Sequence, residues 1–245
     1  MRKIFPTRNS DKKASHPVRL FCIALLLVLA PAIPAQGGER LHTFKEPHMG
    51  TEFTIRSWAE ESRAEDLTLS VREAFARIAA LNRALSDYLP ESEINALAKA
   101  PAGVAFPASE DLFVLFETAG RLSAKTEGAF DVTAGPLIRL WRISRKNQSL
   151  PTPEQITSAK ARTGFHHLVL DPDKRTILKK IDGMLFDLGG IAKGYAADAA
   201  LAILKKDGFP RSLVAASGDI AVGDAPPGEP GWKIGIETLD LGRDL

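Results

Sequence analysis

From Ala64 to Leu85, apolar residues fall at Leu67, Val71, Ala74, Phe75, Ile78, Leu81 and Leu85, the three-and-four spacing of a long helix with one buried face. A stripe of that length needs other elements to cover it. They must do so without covalent help, because Cys22 is the only cysteine of the chain. It lies inside an apolar stretch that reads as a leader, so the mature chain has no disulfide, no thiolate catalysis and no Cys-based metal site. The fold is held by its core alone.

That leader has a basic start (Arg2, Lys3, Lys12, Lys13, Arg19), then the apolar run Leu20 to Ala30, then small residues at Ala30, Ala32 and Ala35. The order is that of a secretory signal peptide cleaved after Ala32 or Ala35. A membrane anchor is the alternative, but the 11 residues of the run are short against the roughly 20 needed to span a bilayer. The expected organisation is a signal peptide over 1–35 and one domain over 36–245, exported to the periplasm, or held at the inner membrane if the leader stays attached. The leader also hides the charge balance. The full chain carries +2, yet 26 of its 32 basic residues and 29 of its 30 acidic residues lie after residue 35, a net of −3 without a long basic run. That balance disfavours nucleic acid as a partner.

Residues 36–47 are polar and mixed, and read as a lead-in to a first strand over Thr51 to Trp58. After the long helix, Ser92 opens a short helix to Ala98, and Ser109 caps another whose buried stripe is Leu112, Leu115, Phe116, Ala119 and Leu122. Pro136 starts a short helix through Trp141, and 146–153 reads as a loop. Strands are expected at 168–170, 176–179, 184–186, 212–216 and 232–237, with a helix over 191–204 closed by Gly208 and Pro210. Helices and strands mix without strict alternation, so the class is α+β.

The segment Phe186-Asp187-Leu188-Gly189-Gly190-Ile191-Ala192-Lys193-Gly194 is the sharpest chemical signal. A strand end, a glycine turn and a helix start leave backbone N–H groups free for a phosphate, and glycine permits close approach. Lys193 adds a cation. Asp187 adds a carboxylate, which beside a phosphate calls for a hard metal ion or a ribose hydroxyl between them. The competing reading is a structural glycine turn, because no complete dinucleotide or Walker pattern is present. Gly128 to Leu137 holds Phe130 and Asp131 in a loop that by itself reads as a capped connector, with Asp131 serving local N–H groups. Tyr88, in Ser86-Asp87-Tyr88, either contacts an aromatic ligand or covers core. Ser217-Gly218-Asp219-Ile220 repeats the glycine-then-acid arrangement, and its bland reading is a hairpin turn. His42 and His48 fall in the polar lead-in, where exposure is expected. His166 and His167, adjacent in an expected strand, point to opposite faces and cannot share one metal, which disfavours a zinc hydrolase. Ser217 lacks the setting of a nucleophile elbow.

In order along the chain, Met49-Gly50-Thr51, Ser86-Asp87-Tyr88 with Ser92-Glu93-Ile94, Gly128 to Leu137 with Trp141, Asp187 to Ala196, and Ser217-Gly218-Asp219 with Trp232 resemble the ApbE family of FAD:protein FMN transferases. The resemblance runs from about residue 48 to the chain end. It implies an ApbE-like, T-fold-related architecture with mixed sheets and packed helices. It also implies an exported enzyme that uses FAD and Mg²⁺ to esterify FMN onto a threonine of an acceptor flavoprotein, releasing AMP, and that meets the membrane surface through that acceptor. By the same resemblance, Met49, Tyr88, Ala129, Phe130, Asp131, Asp187 and Lys193 are FAD-contacting positions, and Gly190 offers a backbone carbonyl to Mg²⁺. The family pattern continues with a His-containing segment resembling H-I-x-D-P-x-T-G and a helix whose Asp and Thr complete the metal site. This sequence contains neither, so the expectation is a C-terminally incomplete domain with a catalytic deficit, the alternative being a non-catalytic FAD-binding protein or an inactive fragment.

Overall fold

The computed structural model describes residues 38–236. The expected signal peptide over 1–35 lies outside them, as do residues 237–245. No helix among the described residues is long and apolar enough to cross a membrane.

The elements run β1 (Arg40–His48), β2 (Thr51–Ala59), α1 (Ala64–Leu85), α2 (Glu93–Lys99), β3 (Ala105–Pro107), α3 (Glu110–Lys125), α4 (Gly135–Asn147), α5 (Pro153–Lys160), β4 (Leu168–Asp171), β5 (Thr176–Lys179), α6 (Ala192–Lys206), β6 (Ser212–Ala216) and β7 (Asp219–Val222). Two antiparallel sheets form among the described residues, one in the order β1-β2-β6-β7 and one in the order β3-β5-β4. The class is α+β, as expected. In β2 the period of two buries Phe53, Ile55, Ser57 and Ala59 on one face, and the register sets Ile55 opposite Val214 of β6. Helix α6 packs on β6 and β7, and α1 packs against α6 and on β1 and β2. The apolar stripe of α1 is buried from Leu67 to Leu85, so its spacing is explained by what it touches.

Chain direction explains where the site forms. Helix α1 leaves the far end of β2 and runs back to its start, while α6 begins beside the end of β6. The β1–β2 turn, the end of α1, the start of α6 and the β6–β7 turn therefore gather at one end of the large sheet. The β1–β2 connection is the two-residue turn Met49-Gly50, with φ of 49° and 74°, the left-handed pair whose twist suits a hairpin. Met49 holds that conformation at a cost of roughly 1–2 kcal/mol and in return lies partly buried against the core.

Several expectations are corrected. The lead-in is strand β1, paired along its whole length with β2. Its histidines are not solvated: His48 stacks on Phe75 with ring centroids 5.8 Å apart and bonds Glu46 at 3.0 Å. His42 buries its Nε2 without a partner among the described residues. Residues 184–186 form no strand, although Met184 and Phe186 are buried; the Asp187 N–H instead donates to the Val132 carbonyl at 2.9 Å. Residues 232–236 are irregular, so the strand expected there does not form in its described part. Helix α4 continues past Trp141 to Asn147, and the expected loop contains the start of α5. His166 and His167 sit in a 3-10 turn with rings 3.9 Å apart, on one side and not on opposite faces.

Candidate functional site

At the gathered end of the large sheet lies a cavity of about 670 Å³, walled by the first turn (Met49 to Thr51), by Asn82 and Leu85 to Tyr88 at and beyond the end of α1, by Leu188, Gly189, Ala192 and Lys193 from the glycine turn, and by Ser217 from the last hairpin. Four segments that are remote in sequence meet here. Met49, Tyr88 and Lys193 thus share one cavity. Tyr88 is 73% exposed, which removes the core-covering reading and leaves its ring free to meet a ligand.

Asp187 opens the glycine turn and spends both carboxylate oxygens. Oδ1 accepts from the Gly189 N–H at 2.8 Å, and Oδ2 pairs with Arg142 Nη2 at 2.7 Å. Only 13% of its side chain is exposed. The backbone then turns so that the Ile191 and Ala192 N–H groups donate to the Leu188 carbonyl, and α6 starts with no side-chain cap. An uncapped helix start carries the positive end of the helix dipole and favours an anion. The glycines are needed for space: a Cβ on Gly189 sits 2.9 Å from Asp187 Oδ1, and one on Gly190 sits 3.2 Å from the Phe130 ring. Lys193 lies one turn in, its Nζ 2.9 Å from Asp219 Oδ2 and 3.3 Å from the Gly189 carbonyl.

The Gly128 to Leu137 loop behaves differently. Phe130 stands against Gly190, beside the turn and outside the cavity wall. Ala129 is exposed and Asp131 is turned inward, where Asp131 Oδ1 accepts from the Thr133 N–H at 2.8 Å and from its hydroxyl at 2.7 Å. The Gly164 N–H donates in turn to Thr133 Oγ1 at 2.6 Å. Asp131 is thus a capping residue here, as the connector reading expected, and neither Ala129 nor Asp131 lines the cavity.

Arg142 was not singled out by sequence. On α4, one residue past Trp141, it bonds Asp87 Oδ2 at 2.5 Å as well as Asp187, and lies 4.7 Å from the Tyr88 ring centroid. Burial pulls its guanidinium down, but the bond and charge of Asp87 and the charge of Asp187 outweigh that and hold it above its ordinary value. The signal available was an unpaired basic face: Arg139, Arg142, Arg145 and Lys146 share α4 with no acid.

The family model described as "ApbE family" matches residues 49–244. The chain belongs to the ApbE family. Similar curated proteins are the FAD:protein FMN transferases of Vibrio cholerae, 31% identical over 89% of this chain and 64% of that protein, and of Klebsiella pneumoniae, 31% identical over 88% and 62%. The crystal structure of the apo flavinyl transferase ApbE of Pseudomonas stutzeri superposes with a TM-score of 0.73 at 29% identity, covering 81% of this chain and 66% of that one. The ApbE fold is thereby shown, and this ApbE-family chain spans just under two thirds of the length of the curated relatives it matches.

Proposed function

We propose that the domain binds FAD with its diphosphate against the turn from Asp187 to Lys193, and that it serves the transfer of FMN from FAD to a threonine of an acceptor flavoprotein, with release of AMP. One observation carries the reading: Met49, Tyr88 and Lys193, from three remote segments, wall one cavity at an uncapped, glycine-opened helix start. Such a start suits a diphosphate, and an exposed Tyr ring suits a planar ring system. The curated relatives are named FAD:protein FMN transferases, which supports transfer of FMN from FAD to a protein; the threonine and the AMP leaving group are what the family resemblance implies.

In that reaction the threonine hydroxyl oxygen attacks the FMN phosphorus. A new P–O ester bond forms, the diphosphate P–O bond breaks, AMP leaves with the electron pair, and the hydroxyl proton passes to water. This chain's own part is to bind and orient. Helix-start amides and Lys193 face the diphosphate, while Asp219 holds Lys193 in place. When bound, Mg²⁺ neutralises charge on the phosphates. The described residues do not build a site for it. No group of three or more His, Cys, Asp or Glu that could hold a metal occurs among them, and the Asp187 oxygens are both taken. A Gly190 carbonyl alone falls short of the several oxygen ligands Mg²⁺ requires, so no step is routed through the metal here.

Export to the periplasm, with the acceptor at the membrane surface, completes the proposal. That incomplete donor set favours a second reading, FAD retention without turnover. Both are tested by equilibrium dialysis of the chain against FAD, followed by incubation with FAD, Mg²⁺ and a threonine-containing acceptor peptide. Retained FAD with a mass-shifted acceptor supports transfer, and retention without a shifted acceptor supports the second reading. Absence of retention, or retention untouched by Asp187→Ala, rejects both.

A further inference from the structure

Arg142 joins segments that the chain otherwise brings together only by packing. Asp87 and Tyr88 belong to the arm that follows α1, Asp187 opens the glycine turn, and the guanidinium holds all three from α4. Its grip on Asp187 Oδ2 fixes the carboxylate plane, and Oδ1 of that same carboxylate orients the Gly189 N–H. One side chain on α4 therefore helps fix the glycine turn that leads into α6.

The charge balance also matters. One guanidinium between two carboxylates leaves a local charge of −1, where without it Asp87 in the cavity wall and Asp187 at the opening of the glycine turn both stand unneutralised. Both terminal nitrogens already donate to carboxylates, so a shift of Arg142 onto a phosphate breaks two ion pairs and exposes Asp87 and Asp187 to the incoming negative charge. We propose that Arg142 is a positioning residue for the dinucleotide: it latches the Tyr88 arm to the glycine turn and neutralises Asp187, and it does not itself ligate phosphate. The inference rests on the flavin-binding reading above. Lysine does not replace it, because a point charge cannot hold two carboxylates in a planar fork while stacking on an aromatic ring.

The test uses the full chain and the variants Arg142→Gln, Arg142→Lys, Asp87→Asn and the double variant Arg142→Gln/Asp87→Asn. Two quantities are measured for each, the FAD dissociation constant by equilibrium dialysis and the thermal midpoint without ligand. A latch predicts that Arg142→Gln and Asp87→Asn each weaken FAD binding, Arg142→Gln by roughly tenfold, and that the double variant binds no more weakly than Arg142→Gln alone. Arg142→Lys recovers little, and each folded variant keeps a cooperative transition. Tighter FAD binding by Asp87→Asn means that Arg142, once freed, ligates phosphate, and this overturns the proposal, as do additive losses in the double variant. If the unaltered chain retains no FAD, the flavin reading falls by itself. The ligand-free thermal cycle then judges the latch: coupling between positions 87 and 142 supports it, and additive midpoints overturn it.

Discussion

Replacing Asp111 with Asn tests how the three longest helices are tied together. The Asp111 carboxylate on α3 accepts a two-pronged bond from Arg77 of α1, through Nη1 at 2.8 Å and through Nη2, and a third bond from the Tyr195 hydroxyl of α6 at 2.7 Å. The Arg77 and Asp111 side chains are 35% and 20% exposed, so solvent screening takes part of the gain. Charge-assisted bonds in partly buried sites contribute about 1.5–3 kcal/mol each when lost; with one neutral bond surviving and the screening discount, we expect a net loss of about 2 kcal/mol. For a domain of this size that corresponds to a fall in Tm of roughly 4–8 °C. The pH dependence follows. Burial pushes the Asp111 carboxyl up, but the bonds from Arg77 and Tyr195 outweigh it and leave it below its ordinary 3.8. A carboxyl lowered in the folded state stabilises above its unfolded pKa, and that contribution is lost as the pH falls through the folded value. The Tm difference between the parent and Asp111→Asn, followed by circular dichroism from pH 7 downward, is thus predicted to hold to about pH 4 and then shrink. A difference that stays constant or widens in acid refutes the reasoning, as does a loss below about 0.5 kcal/mol at pH 7.

The same cluster acts in alkali. Burial and the bond to Asp111 push the Tyr195 hydroxyl up to about 12, so its stabilisation is complete below its unfolded value near 10 and is lost as the pH rises from about 10 to about 12; ultraviolet titration should show one tyrosine ionising late, and Tyr195→Phe should abolish that late step. Gly50 has φ of 74° and open space where a Cβ would stand, so Gly50→Ala isolates conformational strain and should cost about 1 kcal/mol in denaturant unfolding, with Asn in its place costing less. Thr152 and Gln155 form a reciprocal cap at the start of α5, and Thr152→Ala should cost about 1 kcal/mol and speed amide exchange over residues 153–160.

Where one face of an element is buried, periodicity had already placed it. Helix α1 matched its expected bounds, and β2, β5 and β6 lay where β-branched and apolar residues recur. Strand β1 escaped because it is an edge whose residues are mostly exposed, so its pairing with β2 leaves little hydrophobic alternation to read. The run Met184 to Phe186 misled for the opposite reason: it is buried, but it threads the core and pairs with no strand. Pro153 was read as a loop ending, although Pro beside Thr152 and Gln155 is equally the signature of a helix start. At the cavity, Lys193 and Tyr88 were legible because a helix start and a turn give them chemistry of their own, whereas Met49 was reached only through the family resemblance. Arg142 was not legible, because α4 acquires its meaning only when folding sets it against Asp87, Tyr88 and Asp187. Asp131, by contrast, was read locally as a cap, and the structure agrees with that reading.

The central claim is that backbone amides at the opening of α6 receive the diphosphate of FAD. Crystals of the chain soaked with FAD measure this directly. The account predicts diphosphate oxygens within hydrogen-bond reach of the N–H groups of Gly190, Lys193 or Gly194, with a flavin or adenine ring against Tyr88. Density for the diphosphate on any other element, with the glycine turn still closed by Asp187 and Arg142 as here, contradicts it.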